Sequence, residues 1–171
     1  SGMSLLNAKG AAAILMNVNN GEIISLASLP DFDPNHRPKL PSAGDPANSP
    51  LFNRAIQGVY ELGSTFKIFA IAQALELKLV SPETMINVSG PLRWGKFKIR
   101  DFHNYGSELP VKKVISKSSN IGTARIAQEI GSIEQQKFLK SLGFFDIVPL
   151  EMVEASGGKP LLPKNWSELS T

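Results

Sequence analysis

The sequence has no cysteine, and only two histidines, two tryptophans and two tyrosines among its 171 residues. Without cysteine there is no disulfide and no thiolate metal site, and the redox compartment stays undecided. His36 and His103 stand in loop-like stretches with no second ligand at metal spacing, so no metal and no cofactor is expected. No apolar run approaches the ~20 residues of a membrane span. Dense Lys/Arg runs are missing too and a net charge of +3 is mild, which argues against nucleic acid as a partner despite the high pI near 9.2. Internal repeats and low-complexity segments are also absent. What remains is 42% hydrophobic residues over a length that suits one domain with a real core.

Ser64-Thr65-Phe66-Lys67 places a hydroxyl and an amine three residues apart where a long apolar helix is predicted to begin. From Lys67 to Leu77 only Lys67, Gln73 and Glu76 carry polar side chains, a pattern of a buried helix. Residues three and four apart share a face, so Ser64 sits above Lys67, and Lys67 above Ala70, Ile71 and Ala74. An amine among apolar neighbours is desolvated, which lowers its pKa and allows a neutral fraction to take the Ser64 proton. Gly63 leaves room for a substrate to approach the backbone, and the free N–H groups of a helix start favour negative charge beside the hydroxyl. The same four residues also fit a capping serine followed by a lysine that reaches water.

A second polar cluster, Ser118-Ser119-Asn120, interrupts two helical patterns, Val111, Val114, Ile115 before it and Ile121, Ala124, Ala127, Ile130 after it. Such a junction can present a hydroxyl that relays a proton and a carboxamide that holds a substrate amide. Taken alone, it reads first as a cap, with Ser119 or Asn120 closing the second helix.

Together the two clusters resemble the penicillin-binding proteins, the serine D,D-transpeptidases that cross-link peptidoglycan and share their site with serine β-lactamases. The stretch Phe52-Asn53-Arg54-Ala55-Ile56-Gln57-Gly58-Val59-Tyr60-Glu61-Leu62-Gly63 leading into Ser64, and the run Leu29-Pro30-Asp31-Phe32-Asp33-Pro34-Asn35, are similar to the class B, monofunctional branch. Asp101-Phe102-His103 and Ser118-Ser119-Asn120-Ile121-Gly122-Thr123 resemble its septal, cell-division type. The resemblance implies that Ser64 attacks the penultimate D-alanine carbonyl of a stem peptide, with Lys67 as general base. Ser118 would relay the proton to the leaving amine, Asn120 would hold a substrate amide, and the Ser64 N–H would give half of an oxyanion hole. Gly63, Ser64, Ser118 and Asn120 are thus the implied substrate contacts. The implied partners are stem peptides ending in D-Ala-D-Ala, β-lactam antibiotics and membrane proteins of the division machinery. The implied location is the periplasmic face of the inner membrane, with a membrane anchor outside this chain.

The third motif of the family, Lys-Thr-Gly or Lys-Ser-Gly, is missing from the sequence. Lys9-Gly10 lacks the hydroxyl residue, and in Gly158-Lys159-Pro160 the proline has no N–H for a ladder. The expectation is a truncated, weakly active or inactive piece: residues 1–3 as a cloning scar and 4–171 as the N-terminal part of a transpeptidase domain. Its fold class is α+β, a penicillin-binding protein and serine β-lactamase-like fold reduced to an N-terminal β-hairpin and a helical lobe, its last sheet strands lying beyond this chain. A hairpin without those strands exposes an apolar edge, and self-association follows. Two other readings are a non-enzymatic β-lactam-sensing or interaction domain and a class D-like β-lactamase. The latter pairs its serine and lysine with Ser-x-Val, where Asn120 stands here. Glu151 and Glu154 lie where a β-lactamase carries its deacylating glutamate, but the Glu-x-x-Leu-Asn pattern of that loop is absent.

Along the chain, the runs from Ala11 to Val18 and from Glu22 to Leu29 predict a hairpin turning at Asn19-Asn20-Gly21. Asp31 to Pro50 reads as a proline-rich irregular loop, and a helix is predicted near Pro50 to Gln57. Trp94, Phe97 and Ile99 alternate in a short hairpin between Pro91 and Phe102. Ile133 to Leu142 closes the helical part and Gly143 stops it, and a Gly/Pro-rich tail from Glu151 to Trp166 follows.

Overall fold

The two β-rich runs near the N-terminus pair as expected. In the computed structural model, which describes residues 2–39, 42–157, 161–163 and 166, a helical turn α1 (Gly2–Leu5) precedes strands β1 (Ala11–Met16) and β2 (Ile23–Leu29). The strands are antiparallel, from Ala11 opposite Leu29 to Met16 opposite Ile23, and Ile24 is the extra residue of a bulge. Asn17 closes the loop by donating to Glu22 O (2.8 Å) and accepting from Gly21 N–H (2.8 Å).

The chain divides into two units, Ser1–Tyr60 with Ile147–Pro160 and Glu61–Asp146 with Leu161–Thr171. In the first, the loop after β2 carries two 3-10 turns, Pro34–His36 and Pro46–Asn48, each capped by the aspartate before it. Part of the tail, residues 158–160, 164–165 and 167 onward, lies outside the described residues, and Val153–Gly157 forms a 3-10 turn. The helix expected near Pro50 to Gln57 does not form, and turns replace it. A helix starting at Pro50 would bond Arg54 N–H to Pro50 O, but that N–H goes to Ser28 Oγ on β2, while Leu51 N–H goes to Ser49 Oγ and Asn53 N–H to Gln57 Oε1.

The second unit is the helical lobe. A 3-10 turn, Gly63–Phe66, leads into α2 (Lys67–Glu76), so the predicted helix begins three residues later than Ser64. Two short antiparallel pairs come next in the chain, β3 (Met85–Asn87) with β6 (Glu108–Pro110) around β4 (Leu92–Trp94) with β5 (Phe97–Ile99). The second pair is the expected Trp94/Phe97 hairpin; the first had no clear alternation to announce it. Helices α3 (Val111–Ser116), α4 (Asn120–Ile130) and α5 (Ser132–Ser141) complete the lobe. Past α5, Gly143 N–H bonds Lys140 O and Phe144 N–H bonds Leu139 O, the close of a helix at the predicted glycine.

Ile71 and Ala74 of α2, Val80, Ile86, Val111, Val114, Ile126 and Ile130 form one buried cluster, with Leu109 packed on it. The buried face of α2 is Ala70, Ile71, Gln73 and Ala74, while Ile68 and Leu75 stay exposed. Gln73 is accommodated by donating to Glu134 O at 2.8 Å. No helix among the described residues is long and apolar enough to cross a membrane.

Helix α4 approaches α3 at a glycine. A Cβ on Gly122 would lie 2.8 Å from both Val114 methyls and 3.1 Å from Ser119 Oγ, and Val114 is fully buried. Overpacking costs about 1–3 kcal/mol, against the ~1 kcal/mol that alanine gains over glycine in a helix. Gly122→Ala is therefore expected to lower stability by up to about 2 kcal/mol in urea denaturation, the opposite of its helix propensity.

Candidate functional site

Ser64 is presented by a turn, not by a regular helix. Gly63 begins that turn at φ +57 with open space where a Cβ would be, a backbone state that glycine adopts without strain. Thr65 Oγ1 donates to Leu62 O at 2.6 Å, and Lys67 N–H to Ser64 O. The turn is anchored by Phe66, whose ring lies 5.2 Å from Phe69 and 5.6 Å from Phe144, with Phe69 and Phe144 4.8 Å apart. Such tilted and edge-on ring pairs add about 0.5–1.5 kcal/mol each beyond their buried area. Ser64 itself is exposed, and its side chain caps neither the turn nor α2.

Lys67 departs from the sequence expectation. Its amine does not rest among Ala70, Ile71 and Ala74; it reaches the polar junction and donates to Ser118 O (2.7 Å), Ser118 Oγ (3.0 Å) and Asn120 Oδ1 (2.5 Å). These three acceptors use all three N–H groups of an ammonium. The direction of the pKa shift is nonetheless as expected. Burial holds Lys67 below the ordinary lysine value of 10.5, while the negative charge of Asp101 acts against that shift.

At the junction, Ser119 is the cap. Its Oγ accepts from Gly122 N–H at 2.9 Å and donates to Asp101 Oδ2 at 2.7 Å, and Asp101 Oδ1 accepts from Ile121 N–H at 3.0 Å. Ser119 is completely buried. With Ser119 taken up in capping, its two neighbours are free to face Lys67. Ser118 stands at φ +54, which turns both its carbonyl and its hydroxyl to the amine. Asn120 donates Nδ2–H to Arg100 O at 2.7 Å while Oδ1 meets Lys67, which leaves one N–H and one lone pair of the amide for a ligand.

The structure thus brings together Lys67, Ser118 and Asn120, and places Gly63 and Ser64 one turn before Lys67. Sequence reasoning on the residues missed Arg100 and Asp101 as the group that holds the junction. The only signal was an acid at the end of the Trp94/Phe97 hairpin, far from its partners in the chain. Among the described residues no group of three His, Asp or Glu side chains could hold a metal.

Residues 11–171 match the model of the penicillin binding protein transpeptidase domain. The chain belongs to that family. It is similar to peptidoglycan D,D-transpeptidase FtsI of Buchnera aphidicola, 37% identical over 164 residues, covering 95% of this chain and 27% of that protein. It is also similar to peptidoglycan D,D-transpeptidase FtsI of Escherichia coli K12, 30% identical over 162 residues, covering 95% of this chain and 26% of that protein. The chain therefore spans about a quarter of the length of these curated relatives. Among solved structures, the apo transpeptidase (TP) domain of penicillin-binding protein 3 from Burkholderia pseudomallei superposes with a TM-score of 0.76 at 28% identity, over 98% of this chain and 44% of that one. The transpeptidase family and its α+β fold are the ones that the serine-lysine and Ser118-Ser119-Asn120 motifs implied.

Asp101 makes two charge-assisted hydrogen bonds that alanine cannot. Asp101→Ala is expected to cost about 1.5–3 kcal/mol in urea denaturation. Because the lost charge favours the Lys67 ammonium, the same variant moves the Lys67 titration, followed by NMR at its ε-carbon, to lower pH.

Proposed function

We propose that this chain carries the serine and lysine motifs of a peptidoglycan D,D-transpeptidase, working through an acyl-enzyme at Ser64 in septal wall synthesis at the periplasmic face of the inner membrane. The observation that carries this reading is the contact of Lys67 Nζ with Ser118 and Asn120 across fifty residues of chain. A capping serine and a solvated lysine would have no use for it.

The contact set suits proton transfer. Of the three Lys67 partners only the Ser118 hydroxyl can also donate. When Lys67 is neutral, Ser118 Oγ–H can turn to the amine lone pair, and an ammonium can return a proton through the same hydroxyl. In the proposed reaction, Lys67 takes the Ser64 proton as Oγ attacks the penultimate D-alanine carbonyl. Ser118 passes a proton to the departing amine as the C–N bond breaks, and terminal D-alanine leaves. The amine of a second stem peptide then attacks the ester, releasing Ser64 with its proton restored. Asn120 supplies its free N–H and lone pair to the donor peptide, and the Ser64 N–H stabilises the tetrahedral oxyanion, a contribution of about 3 kcal/mol per donor in such sites. A β-lactam enters by the same attack, its ring opening in place of D-alanine release.

Intact mass after incubation with benzylpenicillin tests the acyl-enzyme. A slow, weak adduct is expected on the 171-residue chain, a strong one on a polypeptide extended through a downstream Lys-Thr-Gly or Lys-Ser-Gly, and none on Ser64→Ala of either. An adduct that survives Ser64→Ala, or none on either parent, would sink the proposal. The pH profile tests the base. Since the neutral amine is the reactive form, acylation rises with pH through an apparent pKa below 10.5, and Lys67→Arg loses about 100-fold or more at neutral pH. A rate independent of pH, or unchanged in Lys67→Arg, removes Lys67 from that role.

The hairpin supports self-association as a second property. Ile14, Leu15, Met16 and Ile24 are 48–64% exposed on a two-stranded sheet. Light scattering of this chain is expected to show concentration-dependent oligomers, suppressed by Leu15→Lys; a monomer at high concentration would count against it.

A further inference from the structure

Arg54 is a buried charge that the acyl-transfer site does not use. It is 9% exposed, and its guanidinium carries five N–H groups. Among the described residues, only two acceptors meet them, the main-chain carbonyls of Ala47 and of Phe52, the latter at 3.4 Å. The Phe52 ring lies 6.0 Å from Cζ. Every ion pair found among the described residues belongs to other side chains. Buried cations are ordinarily paired, because an uncompensated one is costly.

The surroundings of Arg54 are shaped around it. A cavity of about 440 Å³ is lined by Arg54, Tyr60 and the start of β1, Gly10, Ala11 and Ala12, with no acidic residue among the described ones. A Cβ on Gly10 would fall 2.2 Å from Arg54 Nε, and one on Gly58 would fall 2.4 Å from Tyr60 Oη. That phenol in turn donates to Arg54 O at 3.1 Å. Glycines thus make room for both side chains, and alanines leave the space beyond them open.

We propose that this cavity is a carboxylate-binding site in which Arg54 is the counter-ion. The planar fork of a guanidinium matches a carboxylate in a way that chloride or a lone hydroxyl cannot. One cation neutralises a monoanion, whereas a phosphate dianion would leave excess charge against glycine and alanine. The volume admits a whole acidic residue or chain end, so the carboxylate comes from an Asp or Glu side chain or from a peptide C-terminus.

The Arg54 Nε–H resonance of the ¹⁵N-labelled chain reads the site directly. It is expected to shift saturably with acetate, Nα-acetylglutamate α-amide or Nα-acetylglycine, and not with sodium chloride at equal ionic strength. Tighter binding of the glutamate derivative assigns a side-chain source; tighter binding of acetylglycine assigns a chain end. Arg54→Lys, read by calorimetry, and Gly10→Ala, which keeps the arginine but displaces its guanidinium, are each expected to weaken the carboxylate by about tenfold or more. Gly10→Ala keeps the test decisive if Arg54→Lys does not fold. No saturable shift with any of the three carboxylates, or full affinity in Gly10→Ala, overturns the proposal.

Discussion

The carboxylate of Asp101 holds the start of α4 through one side-chain hydroxyl and one backbone N–H, and the polar junction takes its shape from that grip. A helix start leaves N–H groups without partners and a partial positive charge; an acid held against it from another segment satisfies both. Because Ser119 is consumed in this arrangement and buried, Ser118 and Asn120 on either side must face away from the cap. They face Lys67. Arg100, beside Asp101, fixes the Asn120 amide by accepting from its nitrogen, so two neighbouring residues orient the whole cluster.

Lys67 stands between opposed influences. Burial disfavours its charge, whereas Asp101 and three oxygen acceptors favour it. A fully apolar nest, as the helical pattern alone suggested, would make the amine neutral but leave it nowhere to pass a proton. The observed cluster keeps the ammonium soluble in the protein and couples it to a hydroxyl, at the cost of a smaller depression of its pKa.

What the sequence made legible were local rules. Two β-rich runs around Asn-Asn-Gly marked the first hairpin, the alternation of Trp94, Phe97 and Ile99 the second, and Gly143 the end of α5. Ser64, Lys67, Ser118 and Asn120 were marked by residue type and spacing together with the family likeness. What stayed hidden depended on distant partners. The stretch from Pro50 to Gln57 reads as helical, but Ser28 on β2 takes the Arg54 N–H that its ladder would use. The direction of the Lys67 side chain and the role of Asp101 need a loop closure that periodicity does not encode. The 3-10 turn under Ser64 is set by Gly63 and by aromatic rings from two helices' ends, again a tertiary effect.

Ser118 adopts a left-handed backbone at φ +54 although it is not glycine, a conformation that costs an ordinary residue about 1–2 kcal/mol. Glycine there would relieve the strain and delete the hydroxyl that meets Lys67; alanine would keep the strain and lose the hydroxyl as well. Threonine would keep the hydroxyl and deepen the strain, because β-branching is least tolerated at positive φ. Position 118 is therefore a point where stability and chemistry select different residues. A mutational scan scored on folding alone would rank glycine above the native serine, and would thereby mark the site by its disagreement with the wild type.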